Sequence, residues 1–140
     1  MTNHDDLIKA SKQGHAQYIR DLLLTKDIDV NKSDSNGLSP LHWACQVNYE
    51  DVVAVLLRQK DIDVNQPDTR GLTPLHYACM RGYENIVHLL LQKNTVDIEQ
   101  TDENGTLPLH MACFKGYKNV VTQLLQKKAS LLLIKEIGLA

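Results

Sequence analysis

Apolar residues recur along this chain at a helical spacing that stops and restarts. Leu41, Ala44 and Cys45 fall three and four positions apart, as do Leu75, Ala78 and Cys79. That spacing predicts a short helix with one narrow face of small residues, which lets a neighbouring helix approach closely. A second cluster follows each first one: Val52, Val53, Leu56 and Leu57, then Ile86, Val87, Leu90 and Leu91. These predict a second helix with its own buried side. Between the two helices stand Asn48, Gly82 and Gly116, residue types that most easily enter the left-handed backbone conformation and so turn the chain from one helix into the next. After the second helix, Ile28-Asp29-Val30-Asn31, Ile62-Asp63-Val64-Asn65 and Val96-Asp97-Ile98-Glu99 extend the backbone into a finger. Asp34, Asp68 and Asp102 open its tight turn, and Gly37, Gly71 and Gly105 close it.

The pattern is a repeat. Pro40-Leu41-His42-Trp43-Ala44-Cys45 returns as Pro74-Leu75-His76-Tyr77-Ala78-Cys79 and again as Pro108-Leu109-His110-Met111-Ala112-Cys113, each copy 34 residues after the last. A period of that length predicts a solenoid of stacked units. Ala10, Gly14, Ile19 and Leu22-Leu23 continue the register backwards, although Asp6-Leu7-Ile8-Lys9 has lost the Pro-Leu-His signature. The chain is therefore read as one domain over 1–140, with units at about 1–33, 34–67, 68–101 and 102–135. Ser39 and Thr73 each precede a proline, so the hydroxyl caps the first helix while proline takes the first helical position, where no amide donor is needed.

Composition narrows the partners. In 140 residues, 43% are hydrophobic and the net charge is −2, which gives no electrostatic reason to seek phosphate backbones or acidic membranes. Neither nucleic acid nor membrane is expected as a partner. The start, Met1-Thr2-Asn3-His4-Asp5-Asp6, is acidic where a secretory signal would be basic and then apolar. A location in cytosol or nucleus is expected.

With Gly-x-Ser/Thr-Pro-Leu-His-x-Ala, a following Gly, the Val-Val-x-x-Leu-Leu helix and the Asp-Val-Asn finger on the page, the chain resembles the ankyrin-repeat family. The resemblance covers about 130 residues. It implies an all-α solenoid of four stacked helix-turn-helix units with short β-hairpin fingers. The units here are one residue longer than the usual family period. Comparison with the family pattern places the extra residue in Arg58–Ile62 and Gln92–Val96, where it lengthens a loop.

Two departures bear on stability. Leu107 stands where Ser39 and Thr73 supply a cap, so the fourth unit's first helix is expected to start more weakly, by about 1 kcal/mol. The segment Ala129-Ser130-Leu131-Leu132-Leu133-Ile134-Lys135-Glu136-Ile137 is apolar where a polar finger is due, and residues 129–140 form an atypical tail. A cap folded back on the stack, the interior of a longer array and a surface for self-association are three readings of it that the sequence leaves open. On its own the chain is expected to be a monomer.

Three features invite a chemical reading. The pairs His42/Cys45, His76/Cys79 and His110/Cys113 have a spacing that can place two metal ligands on one helix face, but zinc needs about four converging ligands. Each pair belongs to its own unit, and packed helices lie about 8–10 Å apart. The histidines are therefore expected to be structural, hydrogen-bonded within or between units as the family resemblance implies. The equivalent placement of the cysteines keeps them beyond the bridging distance of a disulfide. They are read as small buried hydrophobes in a reducing compartment. No phosphate loop, nucleophile elbow or isolated carboxylate pair occurs, so no enzyme activity, cofactor or metal is expected.

Function is then sought on the surface that does not repeat. The family's geometry implies a concave strip made of the finger tips Asn36, Arg70 and Glu103, with Leu38 and Leu72 beside them. To these are added the helix positions Trp43, Tyr77 and Met111, then Gln46, Met80 and Phe114, then Val47, Arg81 and Lys115. The strip holds the single Trp and the single Phe of the chain, and aromatics, Met and Arg anchor protein interfaces. Packing of Trp43, Tyr77 and Met111 between helices is the competing reading. The expected function is a noncatalytic interaction module, of adaptor or inhibitor type, that holds a protein or peptide in this groove. Its alternative is a substrate-recruiting segment of a larger catalytic or membrane protein. A metal- or redox-responsive regulator rests only on the His and Cys pairs.

Overall fold

In the computed structural model, which describes residues 3–138, eight helices follow one another in hairpin pairs. α1 (Asn3–Gln13) turns into α2 (Ala16–Thr25), α3 (Pro40–Gln46) into α4 (Glu50–Leu57), α5 (Pro74–Arg81) into α6 (Glu84–Leu91), and α7 (Pro108–Lys115) into α8 (Lys118–Glu136). The first helices stack in the order α1, α3, α5, α7 and the second in the order α2, α4, α6, α8. Between these layers lies one continuous apolar core, in which Leu7, Ile19, Leu41, Val53, Leu56, Leu75, Ile86 and Leu90 are fully buried. The outermost residues of the first unit and of the tail, 1–2 and 139–140, lie outside the described residues.

The helix starts follow the predicted chemistry and add to it. Ser39 and Thr73 have extended backbones, and their hydroxyls accept the amides of His42 and His76 at 3.3 Å. Each histidine completes the box by accepting the Ser39 or Thr73 amide on Nδ1 at 3.0 Å, a part more often taken by Glu or Gln. An Nδ1 that accepts from the backbone leaves the proton on Nε2. That nitrogen then donates to a carbonyl of the next unit, His42 to Leu72 and His76 to Thr106, both at 2.9 Å. One neutral imidazole thus caps its own helix and ties down the following finger. The turns obey the sequence as well, with Asn48, Gly82 and Gly116 in the left-handed region at φ 62°, 71° and 74°.

The fingers depart from expectation. No β-strand occurs among the described residues. Each finger is a hydrogen-bonded turn in which the Asp34 amide donates to the Leu38 carbonyl and the Gly37 amide to the Asp34 carbonyl, repeated at Asp68 and Asp102. The carboxylate takes the bonds a strand partner would take: Asp34 Oδ1 accepts the amides of Asn36 and Leu38, both at 3.0 Å. Between successive fingers only single backbone bonds run, from the Thr69 amide to the Asn36 carbonyl and from the Glu103 amide to the Arg70 carbonyl. That close approach needs glycine, because a β-carbon on Gly71 would stand 2.8 Å from the Glu103 nitrogen.

Further along, asparagine clamps one unit to the next. Asn31 donates to the Asp61 carbonyl at 2.7 Å and accepts the Asp63 amide at 2.8 Å; Asn65 does the same with Thr95 and Asp97. The lengthened segments after Leu57 and Leu91 lie in these loops, outside the helices. At the third position Glu99 replaces the clamp; in the last unit the second helix, α8, runs on where a finger is due, and its Lys128 pairs with Glu99 at 3.4 Å.

The apolar tail is thus neither a finger nor a cap folded back: residues 129–138 are all exposed. Among the described residues nothing covers the far side of the last unit, which corrects the reading of the third cysteine. Cys45 and Cys79 are fully buried as expected, whereas Cys113 is exposed.

At Leu107 no side-chain oxygen receives the amides of α7, and only the half-box from the Leu107 amide to His110 Nδ1 at 3.0 Å remains. Leu107→Thr should therefore stabilise the chain by about 1 kcal/mol, read as a higher melting temperature; no rise would contradict the assigned register. The buried imidazoles set a pH dependence. Burial holds His42 and His76 below the ordinary histidine value of 6.5. Above that value folded and unfolded chains are both neutral at these sites. As pH falls below it the unfolded chain takes up protons that the folded chain refuses, so stability drops down to and through the folded values. Urea midpoints measured between about pH 7.5 and pH 5 should fall, and His42→Gln with His76→Gln should flatten the slope. An unchanged slope in the double variant would contradict the buried neutral assignment.

Candidate partner-binding surface

The first helices carry an unlike residue at one repeated position, Trp43, Tyr77 and Met111. The finger aspartates decide what these side chains do. While Asp34 Oδ1 holds the turn, its Oδ2 accepts the Trp43 indole N–H at 3.0 Å, and Asp68 Oδ2 accepts the Tyr77 hydroxyl at 2.5 Å. Met111 has no donor to offer Asp102. Lys12 from α1 lies 4.3 Å above the Trp43 ring, and the Tyr77 ring meets His42 edge-on with centroids 5.9 Å apart. Burial pushes the Asp68 carboxyl up, but hydrogen bonds from the Tyr77 hydroxyl and the Leu72 and Arg70 amides outweigh it and hold the group below the usual carboxylate range. Burial, then the Asp68 bond, raises the Tyr77 hydroxyl. The first two fingers are thereby braced against their own helices.

This bracing revises the expected strip. Tyr77 is buried, as are Leu38 and Leu72, all three within the core cluster. The two leucines lead from the finger down into the first helix, with their amides held by Asp34 and Asp68. They support the surface from beneath. For Tyr77 the competing reading, packing between helices, describes what is seen. Trp43, Gln46, Met80 and Met111 are half-buried, and Asn36, Val47, Arg70, Arg81, Glu103, Phe114 and Lys115 are exposed. Phe114 stands out at 89% exposure.

Two hollows mark this side. One, of about 290 Å³, is lined by Met80, Thr106, His110, Met111, Phe114 and Lys115 and is almost wholly apolar. The other, of about 340 Å³, lies among Asn36, Gln46, Asp68, Thr69, Arg70 and Tyr77. In it the side-chain oxygen of Gln46 is buried without a donor among the described residues. Arg70 reaches the Tyr77 oxygen at 3.4 Å. Neither Arg81 nor Lys115 has a carboxylate within ion-pair distance among the described residues. The arrangement combines apolar sockets with unneutralised cations, which suits a ligand carrying aromatic or aliphatic anchors and negative charge.

The repeated His and Cys pairs take no part in this surface's chemistry in the middle of the stack. Both ring nitrogens of His42 and His76 are engaged by backbone groups. Burial pushes the Cys79 thiol up to about 12 and the Cys45 thiol higher still, so neither is a usable thiolate near neutral pH.

Comparison with known proteins agrees with the repeat architecture. Residues 3–68 and 61–134 match the family model described as Ankyrin repeats (3 copies). The chain is also similar, at 38% identity over 52 residues, to Scaffold protein ILK from Homo sapiens and from Mus musculus, a match covering 37% of this chain and 12% of those proteins. Acyl-CoA-binding domain-containing protein 6 from Bos taurus is 35% identical over 51 residues, 36% of this chain and 18% of that protein. The chain thus matches only a small part of these relatives' length. With helix pairs, caps, turns and inter-unit ties agreeing with the match across nearly its whole length, the chain belongs to the ankyrin-repeat family.

Proposed function

We propose that this chain holds a protein or peptide partner in the strip formed by its first helices and finger tips, acting as an adaptor or inhibitor without catalysis of its own. Ankyrin repeats are protein-protein interaction modules, and the similarity to a scaffold protein fits a non-enzymatic role. The observation that carries the groove reading is the apolar hollow beside the exposed Phe114, with Met80 and Met111 in its wall and Lys115 at its rim. A large aromatic side chain left in water next to two methionines favours burial by a partner. Arg81 and Lys115, with no ion-pair partner among the described residues, together with Arg70, favour an acidic or mixed-charge ligand. Trp43 and Tyr77 contribute by rigidity, since their bonds to Asp34 and Asp68 fix the finger tips before a partner arrives.

A second reading, recruitment of substrates by a segment of a larger catalytic or membrane protein, draws on the small share of the relatives that the chain matches. It uses the same surface and differs in what the chain is joined to.

The test spares the braced aromatics, because replacing Tyr77 would disturb the finger itself. Partners captured by the wild-type chain are quantified against Met111→Ala with Phe114→Ala, and separately against Lys115→Glu, with helical content checked by circular dichroism. Loss of the two anchors should weaken a bound partner about tenfold or more, and Lys115→Glu should weaken it further as salt is lowered. A partner retained at full strength by both folded variants would contradict the groove.

A further inference from the structure

The far end of the stack is built like an interior. Leu41 and Leu75, His42 and His76, and Cys45 and Cys79 are all buried, whereas in the last unit Leu109 is half-buried and His110 and Cys113 are exposed. Leu57 and Leu91 are 7% and 5% exposed; their counterpart Leu125 is 49% exposed. The last unit therefore keeps residue types that earlier units use to bury a neighbour. The opposite end differs, because α1 and α2 expose a chiefly polar set that includes Asn3, Lys9, Gln13, Gln17, Arg20 and Asp21, the outer face a terminal unit requires.

Beyond the stack, α8 runs on. Its last eight residues, 129–136, rise about 12 Å, and Leu131, Leu132, Leu133, Ile134 and Ile137 are 38–59% exposed. Together with Leu125 these form a run of exposed large apolar side chains along one helix, a feature that marks interaction surfaces. The geometry points to a second copy of this chain as the occupant, with the two α8 helices paired antiparallel about a two-fold axis at Leu132.

Three observations select that occupant. The exposed set of α1 and α2 is chiefly polar, with Tyr18 and Leu24 its large apolar members at 49% and 84% exposure, so head-to-tail stacking offers the apolar end less to bury than an isologous contact does. Leu125, Ala129, Leu132 and Leu133 follow one another at helical spacing along one stripe, with the small Ala129 permitting close approach. Antiparallel pairing centred on Leu132 also sets Lys128 of each copy opposite Glu136 of the other, so the stripe is complementary to itself in charge as well as in shape. Lys128 pairs with Glu99 at 3.4 Å with both side chains about half exposed, leaving the ammonium accessible to a second carboxylate. One helix and one end face give an area near the lower limit of about 1,000 Å² for a specific interface, which makes the dimer weak and concentration-dependent. This departs from the monomer expected from the sequence.

Sedimentation equilibrium of the 140-residue chain from low-micromolar to sub-millimolar concentration tests the dimer. The expected result is a monomer-dimer equilibrium, with Leu132→Glu plus Leu133→Glu raising the dissociation constant about tenfold or more while helical content holds. Lys128→Glu and Glu136→Lys should each weaken the dimer, and the two together should restore it. Leu132→Cys, in a Cys113→Ala background, should oxidise to a disulfide-linked pair. A chain that stays monomeric throughout, or that stays monomeric and binds anionic vesicles through α8, would overturn the proposal. A dimer indifferent to the glutamate substitutions, or a charge swap without rescue, would overturn it too.

Discussion

A helix pair of seven or eight residues per helix, such as α3 with α4, has apolar residues on more sides than its partner helix can cover. Burial of Leu41, Val53 and Leu56 is completed only when the next pair lies against them, and that requirement organises everything else in the molecule. It fixes small residues at Ala44 and Ala78, where first helices touch. It also makes the imidazoles of His42 and His76 reach across to Leu72 and Thr106, because a polar group in that seam must find a partner there. Histidine-to-carbonyl and finger-to-finger bonds close the second and third seams, and asparagine clamps close the first and second.

The binding surface is a by-product of that seam. Stacking repeats the inward side and leaves the other free to vary, so Trp43, Tyr77 and Met111 differ while Leu41, Leu75 and Leu109 do not. The finger aspartates connect the two sides. One oxygen of Asp34 or Asp68 shapes the turn and the other holds the aromatic of the following helix, so the framework that buries the core also fixes the finger tips offered to a partner. In the last unit Met111 offers no donor, and its surroundings are a soft apolar hollow instead of a hydrogen-bonded brace.

Much of this was legible in the residues. Helix starts, left-handed turns and the 34-residue period depend on Pro, Gly, Asn and hydroxyl positions whose backbone preferences are local, so they can be read one at a time. The exposure of Tyr77 could not be read that way, because an aromatic beside a groove and an aromatic bonded to a finger look alike in a string of letters. A signal was present all the same: an aspartate nine positions before each aromatic donor. The tail was left open among three readings, although 129–137 contains no Gly or Pro to stop α8 and no aspartate to open a turn. Cys113 was misjudged because its burial in earlier units belongs to the neighbour and not to the cysteine.

If burial in each seam is what holds the chain together, resistance to local opening must follow the number of covered faces. Native-state hydrogen exchange, helix by helix at low denaturant, measures this most directly. The account predicts the slowest exchange in α3, α4, α5 and α6, which are covered on both sides, faster exchange in α7, and the fastest in the last turns of α8. Equal protection of α5 and α7, or a better protected α7, would contradict the account.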